Sequence, residues 1–203
     1  MNAPRVRRVA LTGGIATGKS YVRERLEARG IPTIDADTLA RDAVAPGSRG
    51  LEDVIRRFGA AMCDAHGALD RKKLGALVFS DPVARRDLEA IVHPFVRAAT
   101  DRWFASLDPS RHPFAVADIP LLFEAGRDGD FDTIVVAACA PEIQLRRLMG
   151  RDGITEAEAR LRIAAQLPVD QKVAKADCVI HTDGSFAETD RQVGEVVSQL
   201  QDR

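Results

Sequence analysis

Residues 13–20 read Gly-Gly-Ile-Ala-Thr-Gly-Lys-Ser, an instance of G-x-x-x-x-G-K-[S/T] that follows directly on the apolar run Val9-Ala10-Leu11. In this pattern successive backbone N–H groups and a helix N-terminus converge on a polyphosphate, so a strand must deliver the loop and a helix must leave it. Gly13, Gly14, Ala16, Thr17 and Gly18 are then cradle residues, Lys19 is a point charge for the β- and γ-phosphates, and Ser20 carries a hydroxyl for Mg²⁺. Tyr21 opens a segment of helical composition that runs to Arg29 and stops at Gly30, a suitable C′ residue. A glycine turn with an incidental lysine would show the same letters, but the flanking strand and helix favour a nucleoside triphosphate site.

Other residues could complete a phosphoryl-transfer site, which needs an acceptor-side carboxylate and cations for the charge that develops in transfer. Asp35 and Asp37 lie two apart at the end of an apolar run, so in extended chain they point the same way. Asp37 is either a carboxylate for the acceptor hydroxyl or the N-cap of a helix beginning near Thr38. Asp118 ends a later apolar run, where it is either a carboxylate near Mg²⁺ or a strand-end turn residue. Arg147 and Arg151 share one helical face, which could close over phosphates or simply face solvent. His93 precedes Pro94 and reads as a cap or turn residue as readily as a ligand; Arg71 could be a helix-start surface charge.

Elimination narrows the phosphate-loop chemistry. The only asparagine is Asn2, so the Asn-Lys-x-Asp motif of guanine readers is absent. The run ending at Asp118 continues Ile-Pro-Leu rather than x-x-Gly, and no second nucleotide-binding half exists. A small kinase remains, with a nucleotide-gated binding protein as the reading from another class.

The elements that must position these residues follow from apolar runs alternating with helical stretches. Runs at 9–11, 31–34, 114–117, 133–138 and 178–180 suit strands buried on both faces, giving an α/β fold with five strands in a parallel, doubly wound sheet. The ligand crevice of such a sheet lies at the strands' C-terminal ends. Between the second and third runs, Asp70 caps a predicted helix over 71–79, and Ser80-Asp81-Pro82 opens another that runs to Val92 and resumes from Phe95 to Leu107. These predict an inserted helical domain over 39–112. A second helical excursion, 141–167, holds a capping box at Thr155–Glu158 and reads as a lid. The core is then 1–38, 113–140 and 168–203, ending in an amphipathic helix with Phe186, Val193, Val196, Val197 and Leu200 at helical spacing.

The 203 residues are 45% hydrophobic and 29% charged, an ordinary globular composition. A net charge of −1 gives no general attraction to nucleic acid or to an anionic membrane. Cys63, Cys139 and Cys178 lack metal spacing and read as reduced thiols, and Met1–Arg8 has no signal-peptide pattern, so a cytoplasmic protein is expected.

Taken in order, Leu-Thr-Gly-Gly-Ile-x-x-Gly-Lys-Ser at 11–20, Ile-Asp-Ala-Asp at 34–37, Gly-Ala-Leu-Asp-Arg at 67–71, Leu-Glu-Ala-Ile-Val-His-Pro at 88–94, Asp-Ile-Pro-Leu-Leu-Phe-Glu at 118–124 and Gln-Leu-Arg-Arg-Leu at 144–148 resemble the dephospho-coenzyme A kinases over nearly the whole chain. The resemblance implies a P-loop NTPase core with a helical acceptor domain and a mobile lid. It also implies Mg²⁺-ATP and dephospho-coenzyme A as substrates, with transfer to the ribose 3′-hydroxyl. By family position Asp37 is the base or hydroxyl-orienting carboxylate, and Lys19 and Arg147 are the transition-state cations. Arg147 and Arg151 fall on the ATP side, and Thr12, Asp35, Asp37, Arg71, His93, Arg97 and Leu121 on the acceptor side, with Ser20 and Asp118 toward the metal. The chain departs from the family pattern at Ala16-Thr17, usually Gly-Ser or Gly-Ala, and at Tyr21. Where the family shows Asn before Gly beside the adenine, this chain reads His181-Thr182-Asp183-Gly184, which leaves side-chain readout of the base open. A methyl at Ala16 restricts the loop if φ there is positive.

Overall fold

A computed structural model of the chain describes residues 5–202, so residues 1–4 of the stretch read for a leader lie outside the described residues. The elements run β1 (Arg7–Gly13), α1 (Lys19–Glu27), β2 (Thr33–Asp35), α2 (Ala36–Ala43), α3 (Arg49–Phe58), α4 (Arg71–Ser80) and α5 (Pro82–Ser106). They continue with β3 (Phe114–Asp118), β4 (Thr133–Ala138), α6 (Pro141–Asp152), α7 (Glu156–Ala164), α8 (Val169–Val173), β5 (Cys178–His181) and α9 (Phe186–Gln201). The strands form a single parallel sheet in the order β2-β3-β1-β4-β5. Register pairs Leu11 with Asp118, Gly13 with Ala137, and Ala138 with His181. The phosphate loop, the chain after Asp118, the 139–140 turn and the 181–184 stretch therefore all leave the same edge of the sheet.

The chain divides into two compact units, residues 1–34 with 104–203, and residues 35–103. In the first, the central strands are buried on both faces: every residue of β3 and β4 is closed to solvent. Val9, Leu11, Val116, Val135 and Ile180 pack with Val22 and Leu26 of α1 and with Val193, Val196, Val197 and Leu200 of α9. The amphipathic reading of α9 holds except at its first residue. Phe186 is 72% exposed and lies against the Tyr21 ring instead of the sheet, because the helix enters from its capping Ser185 outside the core.

The second unit gathers Val44, Val54 and Leu74 with flanking Phe58, Leu69, Leu77, Leu88, Ile91 and Val92. Asp70 caps α4 by accepting from the Lys73 N–H at 2.9 Å. One expectation fails here: the helix does not break at Pro94 but continues as α5 across it. An internal proline removes one N–H donor from the ladder, and the chain tolerates the loss where packing of both neighbouring turns holds the helix. Ile91 and Val92 before it sit against the cluster, and Val96 after it is buried. His93 is accordingly a mid-helix residue, neither cap nor turn.

Candidate active site

Two glycine positions explain how the loop can turn directly off β1. A Cβ at Gly13 would stand 2.6 Å from the Ala137 carbonyl oxygen of the neighbouring strand, so only hydrogen fits. Gly18 has φ +82° and precedes α1, the left-handed conformation that glycine adopts without steric cost. Ala16 has φ +59° and is the one described residue other than glycine with positive φ. The departure from the family pattern is thus a strained position, at about 1–2 kcal/mol for a residue with a Cβ.

The loop is held from inside and outside. Thr17 is buried and donates its hydroxyl to the Gly14 carbonyl at 2.9 Å, so its side chain shapes the loop and does not reach out of it. Gln144 of α6 donates to the Ile15 carbonyl, and the Gln166 side chain accepts from the Ile15 N–H, both at 2.8 Å. The segment 141–167 is therefore fastened to one loop residue from both of its ends. Ser20 sits exposed in the first turn of α1. Lys19 donates to Asp118 in a close ion pair, with the Arg23 guanidinium 3.8 Å from the other carboxylate oxygen. Asp118 is 3% exposed, a buried charge of the kind that needs cations such as these beside it.

Arg147 reaches from α6 to Thr182, donating to its hydroxyl at 3.0 Å and to its carbonyl at 2.6 Å. Thr182 in turn donates to the Thr17 carbonyl at 2.7 Å, and its N–H continues the sheet pattern to the Ala138 carbonyl at 2.9 Å. The 181–184 stretch thus supports the loop and Arg147 together. Cys139 beside it is a buried thiol whose pKa burial pushes up. Arg151 does not join Arg147: it pairs with Asp152, which also takes Arg162, so its partners lie within the 141–167 segment. The two arginines keep their spacing on α6, and only their partners differ, Thr182 for Arg147 and Asp152 for Arg151. Tyr21 donates its hydroxyl to Asp190 at 2.9 Å, and its ring lies tilted against Phe186.

The expected acceptor-side residues fall in different settings. Asp35, not Asp37, is the N-cap of α2, accepting from the Asp37 N–H at 2.8 Å. The helix begins at Ala36, two residues earlier than predicted, so the two carboxylates are not on one extended segment. Asp37 is exposed and its carboxylate is left over from capping. Thr12 is fully buried with its hydroxyl donated to the Pro120 carbonyl at 3.2 Å, so it shapes the chain after β3. Leu121, just beyond, is 45% exposed. Arg71 opens α4 and donates to the Arg41 carbonyl at 3.2 Å. His93 and Arg97 are exposed one turn apart on α5.

Sequence reading missed Lys172, Gln166 and Arg23, and gave no role to Glu124, Gln144 or Thr182. Lys172 is 0% exposed and bridges the Pro120 carbonyl and Glu124. Glu124 and Gln144 lie inside the quoted motifs, which is a signal; nothing local marks Lys172, which occupies a five-residue helix of mixed composition.

For Mg²⁺, no group of three or more His, Cys, Asp or Glu side chains stands ready to hold a metal among the described residues. Mg²⁺ takes one or two protein oxygens and completes its shell with water and substrate phosphates. The exposed Ser20 hydroxyl and the buried Asp118 carboxylate are donors of that kind.

A sequence model described as dephospho-CoA kinase matches residues 7–188. A dephospho-CoA kinase of Anaeromyxobacter dehalogenans is 52% identical over 180 residues, covering 89% of this chain and 85% of that protein. One of Syntrophotalea carbinolica is 46% identical over 192 residues, covering 95% and 91%. The solved dephospho-CoA kinase from Campylobacter jejuni superposes with a TM-score of 0.72 at 29% identity, covering 95% of this chain and 96% of that one. With a phosphate loop on a parallel sheet and relatives matched along nearly all its length, the chain belongs to the dephospho-CoA kinase family.

Proposed function

We propose that the chain transfers the γ-phosphoryl group of ATP to the ribose 3′-hydroxyl of dephospho-CoA, giving CoA and ADP. The observation that carries this reading is the family match over residues 7–188, which contains the phosphate loop, Asp37 and Arg147 in one span.

Within it each residue has a stated part. Backbone N–H groups of the loop and the N-terminus of α1 bind the phosphates. Lys19 exchanges Asp118 for the phosphate oxygens, which offer it the same charge-assisted partners. Arg147, prepositioned on Thr182, supplies a second cation to the charge that builds on the transferring group. Asp37, exposed and not used as a cap, takes the acceptor proton as its oxygen attacks phosphorus, and ADP leaves. The region of Arg71, His93 and Arg97 contributes to the acceptor side. Ser20 and Asp118 would hold Mg²⁺, which when bound neutralises β- and γ-phosphate charge. Cys63, Cys139 and Cys178 are far apart in sequence and lack metal spacing, which fits a reducing compartment such as the cytoplasm. No helix is long and apolar enough to cross a membrane among the described residues.

Incubating the pure protein with Mg-ATP and dephospho-CoA and following the product by mass spectrometry tests this. CoA and ADP should appear together; a folded protein that makes neither, or that hydrolyses ATP equally with and without acceptor, overturns it.

A further inference from the structure

Lys172 is the one lysine shut off completely from solvent among the described residues. An ammonium carries three N–H donors, and three oxygens surround this one. The Glu124 Oε1 lies at 2.9 Å, the Pro120 carbonyl at 3.1 Å and the Gly13 carbonyl at 3.4 Å. Each belongs to a different part of the site. Gly13 opens the phosphate loop. Pro120, which also takes the Thr12 hydroxyl, precedes the exposed Leu121. Glu124 accepts in addition from the Leu167 N–H at 2.9 Å, and Leu167 is where the 141–167 segment ends.

Stability does not explain such an arrangement. Burying an ammonium carries a large desolvation cost, and a well-packed apolar residue of the same volume is often as stabilising. What an apolar side chain lacks is direction: only the ammonium can fix three separate segments by hydrogen bonds at once. Burial pushes the Glu124 carboxyl up, but the Lys172 ammonium and the N–H groups of Glu124 and Leu167 outweigh it and hold it below the usual carboxylate range.

We propose that Lys172 and Glu124 are positioning residues for phosphoryl transfer, a latch that holds the entry of the phosphate loop, the Pro120 turn and the Leu167 end of the lid as one piece. The latch rests on the kinase reading above, and it acts through Gly13, Pro120 and Leu167 without touching substrate.

The principal variant is Glu124→Gln, which keeps the volume and an acceptor oxygen but removes the charge facing Lys172; Lys172→Met is its companion. Wild type and variants are compared by thermal melt, by steady-state kinetics from about pH 5 to about pH 9, and by amide hydrogen exchange of 141–167 with and without Mg-ATP. In Glu124→Gln, kcat should fall about 10-fold with either KM moving less than about threefold, as misplacement of bound reactants does. Exchange across 141–167 should rise, and the protection added by Mg-ATP should shrink. Lys172→Met, where it folds, should gain a new acid limb in kcat, because Glu124 without its cation titrates at higher pH. A Glu124→Gln protein that melts earlier yet keeps kcat and lid exchange well below its melting temperature overturns the latch. If wild type turns over no dephospho-CoA, the kinase reading fails, and the exchange data alone decide: Mg-ATP protecting the lid in wild type but not in Glu124→Gln supports the latch, and equal protection overturns it.

Discussion

At the scale of single residues, the site separates groups that do chemistry from groups that hold shape. Asp35, not Asp37, caps α2, so capping does not use the Asp37 carboxylate that we propose for the acceptor hydroxyl. Asp37→Asn should lower kcat by a factor of about 10² or more while the affinity for Mg-ATP, measured by titration calorimetry, stays within about twofold, as loss of a general base would. An unchanged kcat would leave Asp37 a surface residue of the first helical turn. Ala16 is the opposite case, a residue whose backbone is unfavourable as it stands. Ala16→Gly removes the clash that a Cβ meets at φ +59°, against the greater freedom glycine has when unfolded. The net gain should be up to about 1 kcal/mol, or about 2–4 °C in melting temperature for a chain of this size. A melt that moves down instead would mean that the loop is not strained there.

At the scale of elements, the phosphate loop depends on segments far from it in sequence. Gln144 of α6, Gln166 beyond α7 and Thr182 beyond β5 each bond its backbone. Thr182→Val keeps the volume and removes the hydroxyl, leaving the buried Thr17 carbonyl without that donor and Arg147 with only the Thr182 carbonyl. An unpaired buried group costs about 1–3 kcal/mol, and the loss falls on the loop and the cation together. The expected outcome is a fall of about 10-fold or more in kcat/KM for ATP, read in initial-rate assays. Equal kinetics would show that Arg147 finds its position from α6 alone.

At the scale of the whole molecule, carboxylates are held ionised by their partners, one joining distant parts of the first unit and others closing helix caps. Asp132 takes both arms of Arg5 and the Arg8 N–H, and the Arg5 contact lowers its pKa most. Glu158 and Glu188 close the capping boxes of α7 and α9 and are lowered chiefly by the N–H groups of Thr155 and Ser185. In the unfolded chain such groups titrate near pH 4. A pKa lowered by folding contributes stability fully above that value and loses it as pH falls through the folded pKa. The melting temperature should therefore hold between about pH 7 and about pH 5 and drop below about pH 4; equal melts at neutral and acid pH would contradict this.

How far the sequence reached follows the range of the interactions concerned. The strand runs, the Asp70 cap, the Thr155–Glu158 capping box and the phosphate loop are local patterns, because a strand's burial or a cap's hydrogen bond involves residues a few positions apart. They were legible, and with them the α/β class and the family. The Pro94 boundary and the outward turn of Phe186 were not, since contacts beyond the local pattern decided them; the cap of α2 is a local bond made by Asp35 where the sequence reading offered Asp37. Sequence alone determined the phosphate loop with Lys19 and Ser20, and it offered Asp37 and Arg147 as candidates of the residue types a phosphoryl transfer requires. The tertiary structure alone decided that Arg147 rests on Thr182, that Arg151 goes to Asp152, and that Lys172 is buried among Gly13, Pro120 and Glu124. Those contacts join residues more than 30 positions apart, except the Arg151–Asp152 pair, and no periodicity or cap encodes a bond that exists only once the parallel sheet brings its strand ends to one edge.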